Sequence, residues 1–357
     1  MRHLAATPIC AKVHALDLGV KNWPKNLREG PGRGPSRKFL YLWAMKYVVN
    51  TCTEPQWNMA HDEFLLEELT ETVFCLWQNR PSVIVGLNQN PYAEVDVKYL
   101  EANNIALARR VTGGGAVYHD LGNLNYSIAG AIAEMEEKVS LMARTLQRFG
   151  VPATLSGRND ILVDERKCSG YAKRMSKNRM MIHGTLMWDV DLEALTRALA
   201  VPGSKLAAKG IASVRSRVAN LKDYLPQFPS LAAFQQALQE VLADGSPELQ
   251  LTQAQRAEID RLADQKFRTW EWNWGHAPQA SFRSSKKFPC GTVQVDYTLK
   301  NGLFESLLFG GDFLGDKPAA ELAGMLIGER PQRVLTAPVS DYFDGLSPTE
   351  LYTLFLS

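Results

Sequence analysis

The chain has 357 residues, of which 45% are hydrophobic and 22% are charged, and its formal net charge is +2. This length predicts two domains, and the composition is typical of a globular protein with a sizeable buried core. The weak charge argues against nucleic acid or an anionic membrane surface as a partner, and no apolar run is long enough to span a membrane. We therefore expect a globular protein that binds neither nucleic acid nor membranes.

The chain contains 5 cysteines, scattered without CxxC or CxxH spacing. An odd number without paired spacing predicts free thiols in a reducing compartment, and neither a disulfide framework nor a zinc site. We expect the protein to be cytoplasmic.

Residues 1–44 differ from the rest, because they are basic and contain only Asp17 and Glu29 as acids. Such a segment can be an organelle transit peptide, although prolines interrupt any amphipathic helix and no clear cleavage pattern is present. Alternatively, translation begins at Met45, whose following residues look like the first strand of a domain. We expect Met45 to be the functional start, and residues 1–44 to be an extension that is disordered or not translated.

The elements predicted after Met45 are strands and helices in irregular order. Alternating or β-rich runs predict strands at 46–51, 73–77, 82–87, 106–110, 116–118 and 124–128. Residues 160–163 and 180–187 predict a strand pair separated by a charged segment. Apolar residues at helical spacing predict helices at 58–69, 134–149, 192–199 and 231–242. This mixture favours an α+β fold over repeated βαβ units.

A polar break at residues 243–247 predicts a domain boundary, with one domain at 45–246 and a second at 247–357. The second domain begins with a predicted helix at 253–268 and an aromatic segment at 270–275. Two strands, 292–299 and 303–309, flank a turn typical of a hairpin, and a helix at 319–327 follows. We expect a compact α+β module in which the aromatic segment anchors the two domains to each other.

The segment from Arg109 to Asp120 reads RRVTGGGAVYHD and contains three consecutive glycines. Glycines allow the backbone to press its N–H groups against a ligand, and such a nest of N–H groups prefers an anion, usually a phosphate. Arg109 and Arg110 add forked cationic donors that suit a phosphate or a carboxylate. A tight turn between strands with two solvated arginines explains the same residues, and this segment alone leaves both interpretations open.

Three further segments carry candidate chemistry. Lys167 follows the GRND sequence that ends at Asp160, between a strand and a Ser-Gly turn, although a lone lysine in a charged stretch is more often solvated. His183 begins the sequence HGTL within an apolar strand. The basic loop 205–221 combines glycine, serine and spaced cations, which suits closure over a phosphate, although such a loop can simply be exposed.

Taken in order along the chain, these motifs resemble the lipoate–protein ligase family, over most of the sequence after Met45. The segments that carry the resemblance are Trp77-Gln78-Asn79, Gly86 with Gln89-Asn90-Pro91, 109–123, 157–160, the Lys167 motif, 183–186, 205–221 and 270–275. Leu87 departs from the pattern, because family members commonly carry Arg or Lys at this position.

The resemblance implies a biotin/lipoate ligase-like catalytic domain of mixed β-sheets with flanking helices, and a smaller C-terminal α+β accessory domain. It implies that lipoate or octanoate reacts with Mg-ATP to give an acyl-adenylate and pyrophosphate. The acyl group is then transferred to a lysine of a lipoyl domain, in the E2 subunits of 2-oxoacid dehydrogenases or in the glycine cleavage H protein. ATP and Mg²⁺ are the implied cofactors.

The resemblance also implies roles for individual residues. The residues expected at ATP are Arg110, Gly115, Ala116, Val117, Tyr118 and Lys167. Those expected at lipoate are Lys167, which bridges carboxylate and phosphate, together with Gly114 and His183. Lys209, Ser213 and Arg215 are candidates for the phosphate loop, and Asp160 is a candidate Mg²⁺ ligand. His119 is expected to be a structural hydrogen-bonding residue.

The main alternative is a lipoyl or octanoyl transferase of the same superfamily that acts without ATP. Octanoyltransferases use a cysteine nucleophile and lack the accessory domain, and the relatives whose loop is similar usually carry arginine at the position of Gly115. Cys168 adjoins Lys167, but neighbouring strand residues point to opposite faces, so we expect it to face away from the site. Gly115, the basic loop and the second domain favour the ligase over an octanoyltransferase, whereas the eukaryote-type lipoyltransferases share the accessory module and are harder to exclude.

Overall fold

The computed structural model describes residues 45–157, 159–199 and 216–356, so the predicted extension 1–44 lies outside the described residues. Its strands are β1 (Lys46–Val48), β2 (Val73–Trp77), β3 (Ser82–Val85), β4 (Ala106–Arg109), β5 (Val117–His119), β6 (Asn123–Ala131), β7 (Thr154–Ser156), β8 (Asp160–Val163), β9 (Arg166–Ser176), β10 (Arg179–Met187), β11 (Glu248–Leu249), β12 (Ala280–Phe288), β13 (Gly291–Lys300) and β14 (Leu303–Gly311).

The α-helices are α1 (Pro55–Glu67), α2 (Val97–Ala102), α3 (Ile132–Met135), α4 (Leu141–Arg148), α5 (Leu192–Ala198), α6 (Leu231–Ala243), α7 (Gln253–Leu262), α8 (Ala319–Leu326) and α9 (Pro348–Tyr352). Short 3₁₀ turns cover Pro91–Ala93, Glu136–Ser140, Leu221–Tyr224, Pro331–Thr336, Val339–Asp341 and Thr353–Phe355, and π-helical turns cover Ala263–Phe267 and Glu271–Gly275. Among the residues described, no helix combines the length and the apolar character needed to cross a membrane.

The largest sheet has eight strands in the order β11-β1-β2-β6-β10-β9-β8-β7. β1 is parallel to its two neighbours, and the remaining pairs are antiparallel. A second sheet, β4-β3-β5, has three strands, and the glycine segment connects β4 to β5. The predicted α+β class is confirmed.

Helices cover both faces of the large sheet, which explains why β2 is buried along its whole length. Because strand side chains alternate, Phe74 and Leu76 face α4 and α6, whereas Val73 and Cys75 face α1. The sequence of a strand that is covered on both faces is a continuous apolar run, without alternation of apolar and polar residues. Pro55 occupies the first turn of α1, where its missing N–H leaves no helical hydrogen bond unmade.

The C-terminal module is built on an antiparallel sheet, β12-β13-β14. Alternate residues of β13, including Val293 and Val295, form an apolar face that packs with α8 and the last turns of the chain. Val83 and Val85 of β3 belong to the same core cluster. The module therefore packs against the three-stranded sheet that carries the glycine segment.

The segment before this module contacts the larger part of the molecule. β11 pairs with β1, and Ile259 of α7 and Phe267 lie in the apolar cluster formed with α1. The predicted division between residues 246 and 247 stays a prediction. These contacts show that residues 248–267 pack against the predicted catalytic domain.

One predicted pairing is wrong. Residues 160–163 and 180–187 do not pair with each other, because the charged segment between them is itself a strand, β9, which pairs with both. The second half of β9 is exposed or half-buried and contains the charged residues Lys173 and Arg174, a composition typical of a loop. β12 was missed for the same reason, since most of its residues are exposed or half-buried.

His61 of α1 is buried, and neither ring nitrogen has a hydrogen-bond partner among the described residues. Burial lowers the pKa of His61 from 6.5 to about 4. As the pH falls below 6.5, the unfolded chain therefore takes up a proton that the folded protein resists, and stability falls by about 1.4 kcal/mol per pH unit until pH 4.

We expect His61→Phe to reduce the acid sensitivity of folding. Phenylalanine removes the titrating group and keeps a ring that can stack on Trp57, as His61 does. The free energy of unfolding in urea, measured at pH 7 and pH 5, should fall less in the variant than in the wild type. Equal pH dependence in the two proteins would show that His61 is not the responsible group.

Candidate active site

A cavity of about 150 Å³ opens between the glycine segment and the strands β9 and β10. Its wall contains Met59, Trp77, Ile84, Arg110, Gly114, Gly115, Ala116, Val117, His119, Asn125, Asn159, Lys167, Gly170, Tyr171, Ala172, His183, Gly184 and Thr185. Three separate motifs of the sequence therefore meet at one cavity: the glycine segment, the Lys167 motif and the HGTL strand.

The glycine segment is held against the end of β3 by a close backbone approach. A Cβ atom on Gly86 would lie 2.1 Å from the carbonyl oxygen of Gly114, so no side chain is possible at residue 86. Gly114 has φ of +97°, a conformation that other residues rarely adopt. By contrast, no atom of the described residues, apart from the adjacent residues in the chain, lies within 4 Å of the position of a Cβ on Gly113 or Gly115. The packing of the described residues therefore does not explain why these two are glycines.

Arg110 fixes the backbone of the glycine segment by hydrogen bonds. Its guanidinium donates to the carbonyl oxygens of Ile84 (2.9 Å), Gly113 (2.8 Å) and Gly115 (2.7 Å), and Nε donates to the hydroxyl of Thr112 (3.1 Å). With their carbonyls held by the arginine, the peptides of the loop have a fixed orientation.

Arg109 points in the opposite direction and ties the C-terminal segment to the core. It is fully buried and donates to backbone carbonyls of both parts of the chain. These are the carbonyls of Gly86, Leu87, Gln89, Trp272 and Asn273, at 2.7–3.0 Å. The Trp272 indole in turn donates to the carbonyl of Arg109 (2.9 Å). These hydrogen bonds hold the aromatic segment against the core, and its expected role as an anchor between two domains stays a prediction.

Neither arginine forms an ion pair within the part of the chain that the structure describes. Burial lowers the pKa of each from 12.5 to about 10, and for Arg110 the charge of Arg109 adds to this effect. Both remain charged at pH 7. Two positive charges are therefore buried without a paired carboxylate among the described residues, and the charge of Arg110 lies beneath the glycine segment, which favours an anion there.

Lys167 lies at the mouth of the cavity on β9. Its Nζ is 2.8 Å from Asp160 Oδ1, and its side chain is 38% exposed. The backbone of Lys167 is fixed, because it donates to the carbonyl of Arg217 (2.8 Å) and accepts from the N–H of Ala219 (2.9 Å). The ammonium lies over Gly170, where a Cβ would come within 2.8 Å of it. The end of the basic loop is thereby placed beside the lysine.

His183 belongs to a buried chain of hydrogen bonds below the cavity. Its Nδ1 is 2.7 Å from Asp62 Oδ2, and its Nε2 is 2.7 Å from the hydroxyl of Thr112. The other carboxylate oxygen of Asp62 accepts from Ser127 (2.5 Å), whose oxygen accepts from the Trp77 indole (2.9 Å). This network fixes the His183 ring and connects it to the loop at Thr112.

Most of the predicted site residues meet at this cavity, with some exceptions. Tyr118 is buried in the apolar cluster shared with the C-terminal module and does not line the cavity. Asp160 reaches the site through its contact with Lys167. The predicted phosphate-loop residues Lys209, Ser213 and Arg215 lie outside the described residues.

Cys168 faces away from the cavity, as expected. Its thiol is buried and donates to the carbonyl of Ile161 (3.4 Å), and burial raises its pKa from 9.0 to about 12. None of the four cysteines among the described residues lines the cavity.

Sequence reasoning missed Asp62 and Thr112. A signal for Asp62 was present, because it lies three residues after Met59 and three before Leu65, on the apolar side of the predicted helix. A charged residue at such a position is almost never buried without a partner. Thr112 carried no such signal, since its partner His183 lies 71 residues away in the sequence.

The chain matches the model of the lipoyl protein ligase A/B catalytic domain over residues 54–243 and that of the bacterial lipoate protein ligase C-terminus over residues 277–355. It is 39% identical over 294 residues to lipoate–protein ligase 1 of Staphylococcus aureus, which covers 80% of this chain and 90% of that relative.

The similar solved structures include the following two. One, at 30% identity and a TM-score of 0.58, comes from work on a bipartite lipoate protein ligase and its E2 lipoyl domain from Thermoplasma acidophilum. The other is a lipoate–protein ligase A bound with ATP, at 28% identity and a TM-score of 0.58. Each match covers 65% of this chain, with 97% and 99% of the other chain. The fold is that of a lipoate ligase catalytic domain with a C-terminal accessory domain. The chain belongs to the lipoate–protein ligase family and is a ligase.

Proposed function

We propose that this protein activates lipoate, or octanoate, with ATP and transfers the acyl group to a lysine of a lipoyl domain. The observation that carries the proposal is the meeting of Lys167 with the glycine segment over one cavity. In this arrangement an acyl carboxylate and a phosphate can approach the same ammonium group. The relative bound with ATP and the Thermoplasma ligase studied with an E2 lipoyl domain support this assignment.

The glycine segment is proposed to bind the triphosphate. Gly113 and Gly115 are exposed and have open space where a side chain would lie, so a ligand can approach their backbone closely. The charge of Arg110, which has no ion-pair partner among the described residues, lies beneath this backbone and attracts an anion. These observations favour a phosphate site over a tight turn with solvated arginines, because both arginines are buried.

Lys167 is proposed to bridge the two reacting groups. In the first step a carboxylate oxygen attacks the α-phosphorus, a new P–O bond forms, and pyrophosphate leaves with the electrons of the broken bond. In the second step the acceptor amine attacks the carbonyl carbon, the bond to AMP breaks, and the amine loses a proton. Negative charge grows on phosphate and carbonyl oxygens in both steps, and a fixed ammonium stabilises it.

Asp160 is proposed to orient Lys167 and to contribute one ligand to Mg²⁺. The described residues contain no cluster of three or more His, Cys, Asp or Glu side chains that could hold a metal. This fits Mg²⁺ in a nucleotide site, which is commonly held by one or two carboxylates together with substrate phosphates and water. The ion would neutralise phosphate charge when bound.

The acceptors are proposed to be the lipoyl domains of E2 subunits of 2-oxoacid dehydrogenases, or the glycine cleavage H protein, and the compartment to be the cytoplasm. The alternative of an acyl transferase without ATP is less favoured, because none of the described cysteines lines the cavity. An octanoyltransferase that forms a covalent acyl-enzyme needs such a nucleophile, whereas a transferase that uses preformed lipoyl-AMP does not.

Lipoate-dependent exchange of labelled pyrophosphate into ATP, followed by the mass shift of a purified lipoyl domain, tests the proposal. A ligase gives both signals, and the exchange disappears without Mg²⁺. Acyl transfer from preformed lipoyl-AMP without exchange would establish a transferase and overturn the ATP-dependent step.

We expect Gly115→Ala to fold normally and to raise the KM for ATP at least about tenfold, because the new methyl group lies where the phosphate must approach. Gly324→Ala is the matched control: its site on α8 is equally open and lies in the accessory domain. Pyrophosphate exchange at varied ATP concentration measures the effect. An unchanged KM in Gly115→Ala would favour the turn interpretation.

A further inference from the structure

The buried end of the cavity carries two hydrogen-bond donors without a partner among the described residues. They are Nε2 of His119 and Nδ2 of Asn125, and both residues line the cavity. Both flank Trp77: the His119 ring lies edge-on to the indole at 6.3 Å, and Asn125 is the strand partner of Trp77. A buried donor without a partner is costly, so two at one end of a cavity point to an acceptor on the ligand.

The neighbouring amides fix which nitrogen of His119 carries the proton. Asn58 donates through Nδ2 to the carbonyls of Cys52 and Gln78, at 3.0 Å each, and these oxygens can only accept. The Asn79 atom at 2.8 Å from this nitrogen must therefore also be an acceptor, Oδ1, which shares one of the two N–H groups, and this directs the Asn79 amide nitrogen to Nδ1 of His119 at 3.0 Å. Nδ1 accepts this bond, so in the neutral ring Nε2 carries the hydrogen.

The ring stays neutral in the folded protein. Burial, with the positive charge of Arg110 and the proximity of His183, lowers the pKa of His119 to about 3. His119 is therefore a fixed, uncharged donor rather than an acid or a base. For Asn125 the orientation is also set, because its Oδ1 accepts from Asn123 (2.8 Å) and leaves the amide nitrogen toward the cavity.

The position of these donors identifies the end of the substrate that meets them. Lys167 and the glycines lie at the exposed mouth, where the proposed function puts the carboxylate. His119 and Asn125 are 4% and 1% exposed, and β10 separates the strand of Asn125 from the strand of Lys167, so these donors face the end of the acyl chain away from the carboxylate. In lipoate that end is a dithiolane ring, whose sulfur atoms are weak acceptors, and in octanoate it is a methyl group.

Resting on the proposed function, we propose that His119 and Asn125 donate hydrogen bonds to the dithiolane sulfurs and thereby select lipoate over octanoate. A methyl end leaves both donors unpaired, or shares the buried end with a trapped water. A site built to hydrogen-bond one substrate rejects the analogue that lacks the acceptor. The two histidines of the cavity then differ in role, because both nitrogens of His183 are already bonded within the protein.

The first test uses the wild-type protein and three acids: lipoate, octanoate and 5-cyclopentylpentanoate, in which carbon replaces both sulfurs of the ring. The last keeps the ring and removes only the acceptors. In pyrophosphate exchange we expect kcat/KM for lipoate to exceed that for the carbocycle about tenfold. Equal values for these two acids would overturn the inference and leave the proposed function intact, whereas no exchange with any acid would overturn the proposed function.

The second test uses His119→Phe and Asn125→Leu, which remove the donors and keep similar volumes. In either variant we expect the ratio of lipoate to carbocycle to fall severalfold, with the KM for ATP unchanged. His276→Phe, at an exposed histidine, is the control and should keep the wild-type ratio. If His119→Phe does not fold because Asn79 loses its partner, Asn125→Leu gives the same readout. A wild-type ratio in the folded variants would refute the inference.

Discussion

Replacing Lys167 with alanine should lower lipoate-dependent pyrophosphate exchange by at least about a thousandfold. The ammonium group lies at the exposed mouth of the cavity. Its ion pair with Asp160 and its contact with Gly170 hold it in place. Without it, the carboxylate and the α-phosphate meet with their negative charges unscreened. Exchange measured at saturating ATP and lipoate reports this loss.

Lys173→Ala is the matched control, since Lys173 lies on the same strand and is exposed. It should keep wild-type exchange. Both variants should unfold at the same denaturant concentration as the wild type, because a half-exposed ion pair such as that of Lys167 contributes little to stability. Normal exchange in a folded Lys167→Ala protein would remove this residue from the mechanism.

Lys167→Arg tests whether positive charge alone is sufficient at this position. A planar guanidinium is larger than an ammonium, and it would have to fit over Gly170, where even a Cβ lies within 2.8 Å of Nζ. We therefore expect arginine to rescue little of the activity, although it keeps the charge. Full rescue by arginine would mean that charge alone is required at this position.

Local motifs in the sequence indicated the residues that line the cavity better than they indicated the strand pairing around it. The glycine segment, Lys167 and His183 are signalled by local motifs, because backbone approach and point charge restrict the residue types at these positions. Their meeting at one cavity depends on pairing between β6, β9 and β10, which no local pattern specifies. The motifs could be placed in one site only through the family resemblance.

The missed parts have a common physical cause. β9 and β12 carry charged residues because one face of each meets solvent, and such strands are read as loops. The roles expected for the two arginines also differ from those in the structure. Arg109 and Arg110 were expected to offer their donors to a ligand, yet the structure directs them to backbone carbonyls. A guanidinium that satisfies buried carbonyls cannot be recognised from sequence, since its partners come from distant segments.

Arg109 should therefore matter most for stability. We expect Arg109→Leu to lower the free energy of unfolding by about 4 kcal/mol, because it leaves several buried carbonyls without a donor and breaks a bridge between β3 and Trp272. Urea unfolding at pH 7 measures this change. Arg283→Leu, on the exposed side of β12, is the control and should change stability by less than about 0.5 kcal/mol.

Arg109→Lys separates charge from geometry. Lysine keeps the positive charge, but a single ammonium cannot reach carbonyls on both sides of the guanidinium fork. We expect most of the loss to persist in this variant, together with faster proteolysis near residue 273, whose backbone carbonyl Arg109 binds. If lysine restores full stability, the buried charge is sufficient, and the carbonyl bridge between the two parts of the molecule contributes nothing of its own.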